Sequence, residues 1–245
     1  VATETRLPSA WYASRRGVLG QWWTVLHPPY TLWHLSSVVL GAAIAPRLDV
    51  VRLLATLLAF ALAVGLAAHA LDELHGRPLG TSLSALSLWC VSAVALAGAV
   101  AVGCLGLGRV GAGLIAFIVA GVVLVLGYNL ELFGGALHND VGFALAWGAF
   151  PALTASFAQT GRLSAGAVAM AAGCAGLSSA QRTLSTPARR LRRRAVRVNG
   201  SLGLDDGTMV SIDHGMLLAP LETALRVLSW TAVLLAAGVA LSHLG

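Results

Sequence analysis

Lysine is absent from this chain of 245 residues, and acidic residues number only 10. All 16 basic residues are therefore arginines, which rules out a lysine Schiff base or a P-loop lysine. Charged residues make up 11% of the chain, against about a quarter in a typical soluble domain. Cysteine is scarce as well. Cys90, Cys104 and Cys174 stand inside apolar runs without CxxC spacing, as small packing residues rather than metal ligands or a disulfide framework. No GxSxG, HExxH, GxGxxG or P-loop pattern occurs, and no period of solenoid length repeats. The first 20 residues are polar and arginine-bearing, unlike a cleavable secretory leader. These absences exclude a disordered chain, a secreted disulfide scaffold and an ordinary cytosolic enzyme.

Hydrophobic residues fill the space instead, at 57% of the chain and a mean hydropathy of +0.80. Seven apolar runs approach the roughly 20 residues that a bilayer-crossing helix needs. They lie at about 22–46, 50–71, 84–106, 109–128, 141–160, 163–181 and 216–242. The expected fold is all-α, a polytopic membrane helix bundle of about seven transmembrane helices. It divides into an N-terminal segment (1–21), a six-helix core (22–182), a basic loop (183–215) and a last helix (216–245). Eleven arginines (Arg6, Arg15, Arg16, Arg77 and the seven at 182–197) fall on one side, and Arg47, Arg52, Arg109 and Arg162 on the other. The positive-inside rule then puts the N-terminus in the cytoplasm of a multi-pass cell-membrane protein. Glu222 and Arg226, inside the last run, are spaced to pair at i, i+4. The two most polar short connections, 69–81 and 128–140, open on the same cytoplasmic face, where any chemistry would sit.

The first connection begins His69-Ala70-Leu71-Asp72-Glu73-Leu74-His75-Gly76-Arg77. At about 100° per residue, His69, Asp72 and Glu73 share one helical face, and His75 flanks Asp72. Ionisable groups this dense at a membrane boundary are costly unless paired, metal-bound or hydrated. The carboxylates suit Mg²⁺ with substrate phosphates in its shell; with the imidazoles added, the set suits Zn or Fe. The plain alternative is a solvated helix end in which Asp72 or Glu73 bridges Arg77.

The second connection holds Tyr128-Asn129-Leu130-Glu131 and, before the fifth run, His138-Asn139-Asp140. Glu131 can face the first cluster across the mouth and complete a metal or diphosphate site with His138, or the stretch is a hydrated Gly-Gly loop. His34 follows an aromatic belt of Trp22, Trp23, Tyr30 and Trp33, and either reaches the cavity or packs as a core histidine. At 189–197, six arginines in nine residues attract anionic lipid headgroups at roughly 1 kcal/mol each near the surface. Guanidinium forks such as Arg189 and Arg190 also clamp diphosphates. Because the arginines sit mostly between apolar runs, the expected partner is a membrane surface or a phosphate and not nucleic acid. Asn199-Gly200 and Asp206-Gly207 mark a small hairpin beyond, with Asp205, Asp206 and Asp213 as turn formers.

Three stretches, covering about residues 20–160, resemble the UbiA-type intramembrane prenyltransferase superfamily. His27-Pro28-Pro29-Tyr30-Thr31-Leu32, running into Val38-Val39-Leu40-Gly41-Ala42-Ala43-Ile44-Ala45, is similar to that family's first helix. His69 to Asp72 occupies the place of its first aspartate motif, Asn-Asp-x-x-Asp-x-x-x-Asp. There Asp72 matches the second aspartate, while Ala68, His69 and Gly76 stand where the asparagine, first and third aspartates would be. Tyr128-Asn129-Leu130-Glu131, then Gly142-Phe143-Ala144-Leu145-Ala146-Trp147-Gly148-Ala149, is similar to its tyrosine motif and following helix. The second aspartate motif has no counterpart, since the chain reads Ser178-Ser179-Ala180-Gln181-Arg182-Thr183-Leu184-Ser185. The family's usual nine helices would here be seven.

The resemblance implies a helical bundle around a lipid-open cavity, where Mg²⁺ holds a prenyl diphosphate that ionises to an allylic cation. On this reading Asp72, Glu73 and Glu131 are catalytic. His34, Tyr128, Asn129, Arg77, Arg189 and Arg190 bind substrate. His69, Asp72, Glu73, His75, Glu131 and His138 are the candidate metal ligands. Three functions stay open: prenyl transfer to a lipophilic acceptor, a Fe- or Zn-dependent lipid- or terpene-modifying reaction such as cyclisation or oxygenation, and non-catalytic isoprenoid or lipid binding.

Overall fold

Pro28 and Pro29 decide how the first apolar run folds. Proline costs least in the first turn of a helix, and both stand there, behind His27 in a left-handed conformation (φ 44°). The expected 22–46 span is therefore broken into α1 (Gly17–Val25) and α2 (Pro28–Ala42). The computed structural model describes residues 12–14 and 17–243. Arg6, Arg15 and Arg16, counted above on the basic side, lie outside the described residues.

Six more helices and one hairpin follow: α3 (Val50–Leu74), α4 (Ala85–Val110), α5 (Leu114–Asn129), α6 (Asp140–Thr160), α7 (Ala165–Arg194), β1 (Gly200–Gly203), β2 (Met209–Ile212) and α8 (His214–Leu241). Four of them, α3, α4, α6 and α8, are long and apolar enough to cross a membrane; α5 is apolar but only 16 residues long. The architecture fits an all-α helical membrane protein.

Helices α2 to α8 alternate in direction, as the contacts at their two ends show. At one end Arg52 of α3 donates to the carbonyls of Arg109 and Gln159, at 2.7 and 2.8 Å, and Gln159 in turn accepts from the backbone of Asp49. His243, just past α8, reaches the carbonyl of Ala43 just past α2. The opposite end gathers His27, His69, Tyr128, His138 and the arginines of α7. This arginine-rich end is the mouth described below.

Close approaches set the centre. The α carbon of Gly41 on α2 faces the carbonyl of Ala152 on α6 with no room for a methyl group, and a Cβ on Gly148 would lie 2.5 Å from the carbonyl of Cys174 on α7. Small residues at such crossings let backbones touch, the usual device of helices in lipid. Around them Val38, Ala67, Leu71, Ala146, Trp147 and Ala155 form the buried core.

Helices α3 and α6 widen into π-helical turns at 61–68 and 145–149. Side chains take carbonyls within these stretches. His34 donates to Trp147 (2.9 Å), Ser92 to Ala67 (3.2 Å) and His69 to Gly65 (3.3 Å). Backbone groups loosened from a regular ladder need such partners inside a bundle.

The stretch from 183, expected as loop, is helix as far as Arg194 despite Pro187. Leu184, Ala188 and Leu191 recur on one face and pack on Leu218, Leu221 and Leu225 of α8, which offsets the backbone bond that Pro187 removes. Glu222, expected to pair with Arg226, reaches across this contact to Arg192 (3.4 Å). The hairpin forms as the turn signals predict. β1 and β2 are antiparallel, Gly207 is left-handed, Asp206 accepts from the Thr208 amide, and Asp213 caps α8.

Candidate functional site

The mouth is built from one face of α7 looking at the ends of α2, α3, α5 and α6. Arg182, Arg189 and Arg193 are spaced by seven and four residues; at 100° per residue they lie within about 40° of one another. Arg182 donates to Asp140 Oδ1 (2.5 Å) and to the Tyr128 hydroxyl (3.1 Å), and its guanidinium lies 4.9 Å from the Phe143 ring centroid. Arg189 donates to Ser185 Oγ and Thr186 Oγ1, both at 3.2 Å and both on its own helix. The Tyr30 phenol of α2 and the Asp72 carboxyl of α3 are its titratable neighbours across the mouth. Arg192 pairs with Glu222 and donates to the Ala188 carbonyl of its own helix.

Asp72 sits in the field of Arg189, Arg193 and His138, and its carboxylate accepts no hydrogen bond among the described residues. His138 stacks on Tyr128 with ring centroids 4.6 Å apart and donates to the Tyr128 carbonyl. Below them the Trp147 ring meets Tyr128 edge-on (5.4 Å) and His34 (6.1 Å). Of the sequence candidates, then, Asp72, Tyr128, His138 and Arg189 converge, with His34 beneath.

The others stand elsewhere. Glu73 is fully buried and turned into the following loop, where its two oxygens accept from the Leu79 and Thr81 amides (2.9 Å each) and the Thr81 hydroxyl (2.8 Å). Arg77 donates to the Leu83 carbonyl (2.6 Å) and so shapes the same loop. Asn129 bonds back to Val125 within α5. Arg190 lies exposed on the outer side of α7. His69 packs against His27, ring centroids 5.0 Å apart, in a cluster with Tyr30 and Tyr12. Burial raises the Tyr12 phenol above its ordinary value.

Glu131 Oε1 is 3.9 Å from both His75 Nε2 and His138 Nδ1, a loose triangle on the rim. Among the described residues no group of three His, Cys, Asp or Glu side chains is arranged to hold a metal ion. For a Mg²⁺–diphosphate centre the donors fit poorly: among the described residues, Asp72 is the one carboxylate at the mouth that forms no hydrogen bond or ion pair with the loop, an arginine or a histidine. Guanidinium, rather than carboxylate, dominates the chemistry here.

Reading the sequence missed Arg182, Arg193, Tyr30, Phe143 and Trp147. The seven-and-four spacing of the arginines was a usable signal, hidden by treating 183–215 as loop. A second feature had no signal at all. Between α3, α4, α5 and α6 lies an apolar hollow of about 1230 Å³, counting its open side, lined by Phe60, Val64, Val100, Phe117, Phe150 and, at its inner end, Trp147. No family model, curated protein or solved structure matches this chain.

Proposed function

We propose that this chain is a multi-pass membrane protein of seven crossings, N-terminus in the cytoplasm, that transfers a prenyl group from an isoprenoid diphosphate to a lipophilic acceptor. It is a divergent relative, in this reading, of the UbiA-type enzymes. The observation that carries the proposal is the junction at Trp147. One side chain both lines the apolar hollow and contacts the Tyr128 and His34 rings under the α7 arginines. An amphiphile with an anionic head and an apolar tail is the ligand whose two ends match those two environments.

The chemistry follows from the groups present. Arg182, Arg189 and Arg193 would bind the diphosphate oxygens and stabilise the charge that grows on them as the C1–O bond breaks. The bonding electrons leave with pyrophosphate, and the allylic cation remains facing the π clouds of Tyr128, Phe143 and Trp147. An electron-rich atom of the acceptor then bonds to C1, and the proton it loses departs with the pyrophosphate. The arginines, rather than Mg²⁺, carry the charge stabilisation in this scheme, because Asp72 is the carboxylate left free for a metal.

Purified protein given a radiolabelled prenyl diphosphate and candidate acceptors tests this. Pyrophosphate release that Arg189→Gln reduces at least roughly tenfold is the expected result, the loss typical of a charge-assisted bond. Retained isoprenoid without release would instead mark a lipid-binding protein, and no binding at all would contradict the proposal.

A further inference from the structure

We infer that the diphosphate head is held by guanidinium without a divalent cation, and that Asp72 is an internal anion which the head displaces. This rests on the proposed reading of the mouth and specifies how its substrate is recognised.

Arg189 is the starting point. A guanidinium carries five N–H donors in a planar fork that matches phosphate oxygens. In this chain Arg189 gives bonds to two neutral hydroxyls of its own helix and forms no ion pair among the described residues. Arg193 stands one turn further along the same face. The other arginines of the mouth are neutralised, Arg182 by Asp140 and Arg192 by Glu222. The guanidinium charges of Arg189 and Arg193 both act on the Asp72 carboxylate, which among the described residues accepts a hydrogen bond from neither. The mouth keeps a set of unused donors.

A metal would have Asp72 as its one carboxylate ligand among the described residues, because the nearby acids are committed. The Glu73 oxygens hold the Leu79 and Thr81 amides, Asp140 holds Arg182, and Glu131 lies between His75 and His138. Mg²⁺ bridging a diphosphate is usually bound by one or two carboxylates with waters, so a lone aspartate facing two arginines is the weaker partner for the metal and the natural partner for the arginines. When a diphosphate enters, its oxygens take the Arg189 and Arg193 donors and Asp72 becomes a like charge beside it.

That role and the metal-ligand role predict opposite signs for one substitution. In detergent-solubilised full-length protein, binding of inorganic pyrophosphate and of a prenyl diphosphate is measured by calorimetry, in EDTA and again in Mg²⁺. The inference expects binding in EDTA that Mg²⁺ leaves unchanged. Asp72→Asn should tighten it roughly fivefold by removing a repelling charge. Arg189→Gln should weaken it at least about tenfold, and Arg189→Lys, which keeps the charge and loses the fork, by an intermediate factor. Unaltered gel-filtration profiles show that the variants are folded. Binding that requires Mg²⁺ and is lost in Asp72→Asn would overturn the inference while leaving the proposed prenyl transfer standing. Failure of the prenyl diphosphate to bind in either condition would remove both.

Discussion

Glu73 shows how one side chain separates a site from its support. The sequence puts it beside Asp72, and adjacent carboxylates at a membrane boundary suggest a shared metal. The structure directs them apart: Asp72 faces the arginines of α7, while Glu73 is sealed under the loop it organises. Glu73→Ala leaves the Leu79 and Thr81 amides without their acceptor, at a cost of about 3 kcal/mol for the unsatisfied buried groups. The expected outcome is a clear fall in thermal unfolding temperature in detergent. Head-group binding should be largely kept when measured well below that temperature; selective loss of binding without loss of stability would return Glu73 to the site. Arg190 supplies a control on the same helix. It is exposed and turned about 100° around α7 from Arg189, so Arg190→Gln should leave pyrophosphate binding within roughly twofold of the unsubstituted protein, where Arg189→Gln weakens it at least about tenfold. Part of the mouth was legible in the sequence, since Asp72, Tyr128, His138 and Arg189 stand out by type and position, whereas Arg182, Arg193, Phe143 and Trp147 do not. Which of two neighbouring carboxylates faces inward was not, because a tilt of one helix end and a turn of loop decide it.

Helices were legible where composition alone determines them. The apolar runs at 50–71, 84–106, 141–160 and 216–242 correspond to α3, α4, α6 and α8, within a few residues at each end. Two elements depart from the apolar runs, and proline stands in both. Pro28 and Pro29 begin a helix and so cut the first run in two, whereas Pro187 sits inside α7 because a leucine-rich contact with α8 holds the helix through it. Extending α7 is what aligns the arginines on one face. Breaking that contact should therefore act on the site at a distance: Leu218→Ala or Leu225→Ala, at buried positions, would loosen the last turns of α7. The readout is faster amide exchange over 185–194 together with weaker pyrophosphate binding; unchanged exchange there would show that the extension holds itself. The hairpin follows its turn residues closely. The Thr208 amide bonded to Asp206 holds that carboxyl below the usual carboxylate range. Its contribution is fully present above the ordinary unfolded value and is lost only as pH falls through the depressed one. Protection of the Thr208 amide should accordingly be level through neutral pH and fall only in strong acid.

On the scale of the whole molecule, two environments meet at one tryptophan. The mouth offers guanidinium and aromatic faces; the hollow offers an apolar lining between α3 and α6, and Trp147 belongs to both. The hollow could not be anticipated, since it arises from four helices splayed apart and no local pattern encodes the space between them. Head and tail recognition should then be separable. Ala99→Trp, which puts a large side chain on the hollow wall, should weaken a long-chain prenyl diphosphate and leave inorganic pyrophosphate unaffected; equal weakening of both would point to a general loss of packing. The most direct test is a cryo-electron microscopy map of the protein bound to a non-ionising thiolo analogue of a prenyl diphosphate. The account predicts phosphate density between Arg189, Arg193 and Arg182, continuous past Trp147 with tail density inside the hollow. Phosphate density on the outer arginines such as Arg190, or a tail that never enters the hollow, would contradict it.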